Sequence, residues 1–433
     1  MRLSPPLPTP PPIRSARALL PLPVTVAVVL AALLVPTSLG ADEPLCGACQ
    51  TTGRIAHEHP AFDHENETDD IEFCSVSMEL DPEALGLDWV PCPKCLAPSK
   101  KEAAEREWNG LMELRKKWLA DRREVDTLTK TTLMHVQTKH FVLTWGIPKI
   151  KVGKRVLKEH EAMHLYAKRL EETYQRILDL CGIDESAMVS TRVRVFMFEG
   201  LREAQIAAPV YTNNPISSGQ KTNLIGAPES SLVSWDDPEK ILNNDEYRHQ
   251  FLVHAVSHNL WHLVREYTFW LFKEYGWVYE GLAYYMETTQ FGTPLVSCGQ
   301  EQIEEPNWKG KCWESNVKKA LIAGKEPSVL DVMAKSADQL SPMERQFAWS
   351  YIDYLMWENP GKMDDMIRVM KFDQKPTRDA LKEAYGLSMG QFIDNWTAFV
   401  RSEYSSKPFK GPKERTPKVP ARPKDGAGSG DSD

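Results

Sequence analysis

The spacing of apolar and polar residues changes about half-way along the chain. Alternating apolar positions predict β-strands at 139–144 and 192–198, and a candidate short edge strand lies at 223–226. A long helix is predicted over 156–181, between the first two strands. Over 246–401 nearly all of the pattern is helical. Strands followed by helices predict an α+β domain, with a small mixed sheet beside a helical subdomain.

The first 40 residues have the pattern of an export signal. They have a basic, proline-rich start, an apolar run from Val24 to Val35, and small residues suited to cleavage near Gly40 or Ala41. A run of about a dozen residues is shorter than the roughly 20 that a membrane-spanning helix needs. We therefore expect a signal peptide at 1–40 and an exported protein, in the periplasm, outside the cell or on its surface. An uncleaved N-terminal anchor is the alternative, and the sequence has no second apolar run of that length.

Three further segments flank the main domain, which we place at 131–404. Residues 41–99 are rich in Cys, His, Asp, Glu and Pro without a sustained period, so they are expected to form a small module held by something other than a core. Residues 100–130 are highly charged with one apolar stripe at helical spacing, typical of a linker helix. Residues 405–433 are full of Lys, Pro, Gly and Ser, which predicts a disordered basic tail.

Composition and charge exclude some classes of protein. The apolar share of 42% excludes a wholly disordered or fibrous chain. The formal net charge of the 433 residues is −8, yet residues 1–40 and 405–433 each carry +3, which leaves −14 on residues 41–404. No nucleic-acid partner is expected, since the body lacks the basic excess such binding requires. The oligomeric state is not predicted.

One predicted helix carries the spacing of a metal site. His254 and His258 are four residues apart, which on a helix places them about 40° apart around the axis and about 6 Å along it. Two imidazoles in that arrangement can reach one zinc ion at about 2.0–2.1 Å each. A third ligand has to come from elsewhere. The candidate is Glu280, in a second helical segment at 276–287 that begins after a turn.

The segments 251–262 and 276–287 together resemble the gluzincin metallopeptidases, the thermolysin-like zinc enzymes. That family carries His-Glu-x-x-His on one helix and a zinc-binding glutamate on the next, often in a Trp-x-x-Glu-Gly-Leu-Ala-like segment. The likeness extends more loosely over 138–402. It implies a gluzincin-like fold and maps the two histidines and Glu280 onto the three zinc ligands.

The chain departs from the family at the catalytic position. The glutamate that follows the first histidine in the active enzymes is replaced here by Ala255. General acid–base catalysis of the kind that this glutamate provides contributes roughly 10²–10⁴-fold. The resemblance therefore implies a catalytically impaired pseudopeptidase that binds zinc and holds peptides or proteins in its cleft.

Two alternatives stay open. One is an active zinc metallopeptidase with a non-standard general base, for which the candidates are Glu229, Asp236 and Asp237. The other is a structural or interaction protein with no metal in its main domain, in which both histidines are ordinary residues of a buried helix.

Four of the eight cysteines form two Cys-x-x-Cys pairs, Cys46–Cys49 and Cys92–Cys95. Four thiolates suit a tetrahedral structural zinc at about 2.3 Å per bond. The 42 residues between the pairs exceed the spacing of about 15–20 in common zinc ribbons. Disulfides are the alternative, because an exported chain with an even number of cysteines favours them.

The remaining cysteines have a different setting. Cys298 and Cys312 flank a short loop in the helical half, and we predict a disulfide between them. Cys74 and Cys181 are left unassigned.

Overall fold

The structure is a computed structural model, and the parts of the chain that it describes are residues 45–56, 71–76, 89–216, 221–224, 230–236, 244–265, 274–294, 313–407 and 415–418. The predicted α+β class is confirmed, because a mixed sheet comes first in the chain and a set of packed helices follows it. The proposed signal peptide lies outside these residues. Among the described helices, none has the length and apolarity needed to cross a bilayer.

The main sheet has six described strands in the spatial order β2-β4-β5-β8-β10-β9. Strand β8 pairs in parallel with β5 and β10, and the other pairs in this sheet are antiparallel. The predicted strands correspond to β5 and β8, and the predicted edge strand is β9, at one end of the order. The strands of the main sheet are β2 (Ile71–Cys74), β4 (Met134–Thr138), β5 (Phe141–Trp145), β8 (Val193–Phe198), β9 (Lys221–Leu224) and β10 (Ser230–Trp235).

Two further pairs of short antiparallel strands are not part of this sheet. Strands β1 (Arg54–Ala56) and β3 (Trp89–Pro91) pair antiparallel beside the cysteines, and β6 (Lys149–Val152) pairs antiparallel with β7 (Arg155–Lys158).

The described helices are α1 (Pro98–Thr129), α2 (Glu159–Cys181), α3 (Leu201–Thr212), α4 (Asp245–Leu263), α5 (Gly276–Phe291), α6 (Trp313–Ile322), α7 (Val329–Met333), α8 (Pro342–Glu358), α9 (Met363–Lys371), α10 (Thr377–Ala380) and α11 (Met389–Glu403). Helix α1 covers the segment predicted as a linker helix. Helix α2 covers the long helix predicted over 156–181 except for its first three residues, which belong to strand β7.

The period-two pattern of the central strand divides the interior into two cores. Val195 and Met197 of β8 point into the larger core, which α2, α4 and the later helices also line. Phe196 and Phe198 point to the opposite face, where α1 and α3 cover the sheet. The sheet is therefore buried on both faces, and α4 lies against the larger core.

Helices α4 and α5 are held in place by close contacts. Asn244 caps the start of α4 by accepting a hydrogen bond from the Tyr247 amide at 3.0 Å. In α5, Gly281 lies so close to α8 that a Cβ atom there would sit 2.7 Å from the Ala348 carbonyl oxygen. Glycine at this position lets the two helices approach, which fixes the depth of the neighbouring Glu280.

Strand β2 corrects the predicted extent of the cysteine module. The sequence placed 71–74 inside the 41–99 module, whereas this strand pairs with β4 in the main sheet. Phe73 stacks on Trp118 of α1 with the ring centres 5.4 Å apart. A four-residue strand is too short to show a clear period, and its partners lie far along the chain, so the pattern did not reveal it.

Part of the segment predicted as a disordered tail contacts the main domain. Arg415 binds Asp353 with Nε 3.0 Å from a carboxylate oxygen, and it also contacts the Glu314 carboxylate. Both acids are buried, at 6% and 1% exposed. Its guanidinium also lies over the ring of Tyr404 at 5.1 Å. Buried carboxylates need a cation, and composition alone does not show which basic residue supplies it.

Candidate metal centre

Helix α4 brings two histidine side chains together at one point. His254 and His258 are 0% and 1% exposed, and their Nε2 atoms are 3.2 Å apart. Two nitrogens on one tetrahedral zinc, each about 2.0–2.1 Å from the metal, are separated by about 3.3–3.4 Å. The pair therefore has the separation that a shared zinc requires.

Glu280 of α5 supplies a carboxylate to the same point. Its side chain is 1% exposed, and Oε1 lies 3.9 Å from His258 Nε2. The ligand atoms of these two residues and His254 all lie within 4.8 Å of one another. A common zinc would require the oxygen and nitrogen to approach to about 3.3 Å, a shift of about half an ångström. The donor set fits zinc with only a small side-chain adjustment.

A second carboxylate orients the first histidine. Glu287 Oε2 lies 3.0 Å from His254 Nδ1, and Gln250 donates a hydrogen bond to the other oxygen of Glu287 at 2.8 Å. A carboxylate at Nδ1 favours the tautomer with the proton there, which leaves the Nε2 lone pair directed at the centre. The ring of His258 stacks on Tyr279 at 3.9 Å between centres, which restricts its rotation.

Glu280 also has a cationic partner. Arg345 of α8 is 1% exposed, and its Nη1 lies 2.6 Å from Glu280 Oε2. The same guanidinium donates hydrogen bonds to the carbonyl oxygens of Ala337 at 2.7 Å and Leu340 at 3.2 Å. Buried charges are stable only when paired, and this contact holds Oε2 of Glu280 so that Oε1 lies on the histidine side.

The position after the first histidine carries no carboxylate. That residue is Ala255, which directly follows His254 in the sequence and is fully buried. Among the candidate substitute bases, Asp236 is held by Arg248 at 2.8 Å. Glu229 and Asp237 lie outside the described residues.

The C-terminal end of α4 is closed by a buried lysine. Lys371 Nζ donates three hydrogen bonds, at 2.6, 3.0 and 2.7 Å, to the carbonyl oxygens of Trp261, His262 and Val264. These are carbonyls that a helix end leaves without partners of its own. Burial lowers the pKa of Lys371 well below its ordinary value, and nearby Asp364 partly offsets this. Burial, and then the charge of Lys371, lowers the pKa of His262 far below 6.5, so that ring is neutral.

The two Cys-x-x-Cys pairs meet beside β1 and β3. Cys46 Sγ lies 4.0 Å from Cys92 Sγ, and Cys49 Sγ lies 3.6 Å from Cys95 Sγ. Sulfurs on one tetrahedral zinc are about 3.8 Å apart, whereas a disulfide bond is about 2.05 Å long. None of the six described cysteines is in a disulfide. The spacing favours a shared metal over the disulfide alternative for these four.

Of these four cysteines, Cys95 lies outside the closest group of three sulfurs. Sulfurs of Cys46, Cys49 and Cys92 lie within 4.8 Å of one another, and Cys95 contacts the set through Cys49. Hydrogen bonds from the backbone amides of Cys49 and then Ala48 lower the pKa of Cys46 to about 6. The ionised form of this thiol, which is the form that binds metals, is therefore favoured at neutral pH. The predicted disulfide between Cys298 and Cys312 lies outside the described residues.

We compared the chain with known protein families and with curated proteins. No protein-family model matches the chain, and a search of curated proteins gives no match.

Two residues of the site were not found from the sequence. Glu287 and Arg345 contact the predicted ligands, but neither belongs to the motif that singled those ligands out. Glu287 lies seven residues after Glu280 on α5, two helical turns away, so the helical period gave the one available signal.

Proposed function

We propose that this chain is an exported, gluzincin-like zinc-binding protein whose metal centre lacks the general base of an efficient peptidase. The observation that carries the proposal is the convergence of His254, His258 and Glu280 beside a helix position occupied by Ala255. Zinc bound there would act as a Lewis acid, but proton transfer to a leaving group would have no carboxylate at the usual position.

The surroundings of the centre support retention of a metal without catalysis. All three donors are at most 1% exposed, and Arg345 occupies the second oxygen of Glu280. Three protein donors leave the fourth zinc position to water or another ligand, but position 255 offers no carboxylate to take a proton from that water. Two carboxylates, Glu280 and Glu287, are buried at this point with Arg345 as the cationic partner of Glu280, and a bound metal ion would supply further positive charge.

A peptide partner is supported by the strand next to α4. Strand β9 ends the described order of the sheet, and the Asn223 side chain donates a hydrogen bond to the Ala255 carbonyl at 3.3 Å. An edge strand offers backbone groups to an extended peptide, which can add as a further strand. We propose that the partner is an extended peptide segment that binds along β9, beside the metal helix.

The four knuckle cysteines belong to the same proposal as a second, structural zinc site. Their sulfur separations fit an S₄ site, and two antiparallel strands of three residues each bury too little apolar surface to be stable alone. Zinc binding would then supply folding free energy to this module.

Restoring the missing carboxylate tests the proposal. Ala255→Glu is expected to create metal-dependent peptidase activity at least about 10²-fold above that of the unmodified chain. Ala255→Gln has the same size without the base and serves as the matched control, so it should stay inactive. Adding His258→Ala to the Ala255→Glu protein should abolish the gained activity.

Two results would overturn the proposal. Strong metal-dependent cleavage by the unmodified protein would support the alternative of a non-standard base. If Ala255→Glu does not fold, the zinc content of the unmodified chain decides instead: it must fall by one ion per chain in His258→Ala, and an unchanged content would support the alternative without a main-domain metal.

A further inference from the structure

A third group of metal-binding side chains lies away from both of these sites. Cys74 Sγ is 3.3 Å from His160 Nε2 and 3.4 Å from His164 Nε2. The three ligand atoms lie within 4.8 Å of one another. Cys74 and His164 are 6% and 2% exposed, and His160 is half-buried. The cluster lies where strand β2 meets the start of helix α2.

The local structure explains why these side chains meet. Cys74 ends β2, where it pairs with Val136 of the neighbouring strand β4. His160 and His164 are one turn apart near the start of α2, so both project on the same side of the helix. Their rings are 4.4 Å apart between centres. This is the same i, i+4 histidine spacing as in α4, with a thiol in place of the carboxylate.

What points to a metal is the convergence of three ligand atoms on one place. A thiol can donate its proton to one imidazole and accept a hydrogen bond from the other, so the two sulfur–nitrogen contacts also fit a metal-free cluster. On a tetrahedral zinc with bonds of about 2.3 Å to sulfur and about 2.05 Å to nitrogen, the sulfur–nitrogen separation is about 3.6 Å. The observed distances are within about 0.3 Å of that value.

We propose that Cys74, His160 and His164 form a further binding site for a zinc-like divalent metal ion. A thiolate with two imidazoles favours zinc and disfavours calcium or magnesium, which prefer oxygen ligands. Binding releases the Cys74 thiol proton to solvent, while both histidines bind in the neutral form. Three protein donors leave the fourth position to water or another ligand.

Such a site would tie an edge of the sheet to a helix. Strand β2 is at the end of the described order opposite to β9, and β4 is its described sheet neighbour. A metal held by one residue of β2 and two of α2 would join these elements across the larger core. Part of the metal-binding free energy would then stabilise the edge strand against detachment.

Cobalt binding by the full chain tests this site; the expected share of the signal rests on the knuckle zinc proposed above, whereas the variant without knuckle cysteines tests the Cys74 site by itself. Thiolate ligands give Co²⁺ a charge-transfer band in the near ultraviolet, to which the His254 centre, having no sulfur, makes no contribution. With four knuckle thiolates and one from Cys74, we expect Cys74→Ala to remove about one fifth of the band and one metal ion per chain. A variant with the four knuckle cysteines changed to serine should keep the remaining fifth.

Matched variants separate ligation from folding. Cys181→Ala changes a buried cysteine at the other end of α2 and should leave the band unchanged. His160→Ala alters the half-buried ligand and should weaken metal affinity by more than the 10–100-fold typical of residues behind the ligands. If Cys74→Ala leaves the band and the metal count intact, or if the knuckle-free variant has no band, the cluster is a metal-free thiol–imidazole contact and the proposal is wrong.

Discussion

The close packing of α5 on α8 predicts an unusual effect of adding one methyl group. In Gly281→Ala, the new Cβ would lie 2.6 Å from Ile352 Cγ1 and 2.7 Å from the Ala348 carbonyl oxygen. Ile352 is fully buried and the carbonyl belongs to a helix backbone, so neither can move cheaply. Overpacking of this kind costs about 1–3 kcal/mol.

Helix propensity acts in the opposite direction. Replacing glycine by alanine inside a helix gains about 0.5–1 kcal/mol. The net prediction is that Gly281→Ala lowers the free energy of unfolding by up to about 2.5 kcal/mol. Because Glu280 is the adjacent residue, the displaced helix should also lower zinc affinity about tenfold or more, as changes behind metal ligands do.

Gly110 provides the matched control. It lies inside the long helix α1, is exposed, and has nothing within 4 Å of the position that a Cβ would take. Gly110→Ala should therefore raise the free energy of unfolding by about 0.5–1 kcal/mol. Urea unfolding of both variants, with zinc titration of each, checks the pair. If Gly281→Ala proves as stable as Gly110→Ala, the close approach of α5 and α8 is wrong, and so is the placement of Glu280.

Three further predictions concern buried charges. Arg415→Ala should lower the free energy of unfolding, measured in urea, by about 3 kcal/mol, because it leaves two buried carboxylates without their cation. Lys418→Ala, at an exposed position, should lower it by about 1 kcal/mol or less. Equal losses in the two variants would contradict the role of Arg415. Lys371→Met should cost about 2–3 kcal/mol in the same assay, since three carbonyls at the end of α4 lose their donor; a loss no larger than that of Lys418→Ala would contradict the cap. Although burial lowers the pKa of His140, hydrogen bonds and charge from neighbouring glutamates outweigh this effect, so the pKa lies above 6.5. The protonated ring therefore stabilises the folded state fully below pH 6.5, and this contribution is lost as the pH rises through the raised pKa. The difference in unfolding free energy between the unmodified chain and His140→Asn should therefore be larger at about pH 5.5 than at about pH 8.5, and a difference independent of pH would refute this.

Local patterns predicted the elements well where the period was long enough. The helices α1 and α2 and the strand β8 each extend over enough residues for a period of 3.6 or two to show. Strand β2 has only four residues, too few to show a period, so the sequence pattern assigns no role to its Cys74. A short strand is defined by its partners in the sheet, and single-chain periodicity carries no information about those partners.

In the candidate site, too, local features are predictable from the sequence and contacts between distant segments are not. His254 and His258 were found because two residues one helical turn apart define a local geometry. Glu280 was found through a family resemblance, since spacing alone does not show which helices pack together. Arg345 was missed because its contact with Glu280 depends on how α8 packs against α5.

The most direct test of the main-domain zinc site is a crystal structure of the protein with anomalous diffraction measured on both sides of the zinc absorption edge. We expect a zinc peak bonded to His254 Nε2, His258 Nε2 and Glu280 Oε1 at about 2.0–2.2 Å. A well-ordered α4 and α5 without an anomalous peak between these atoms would contradict it.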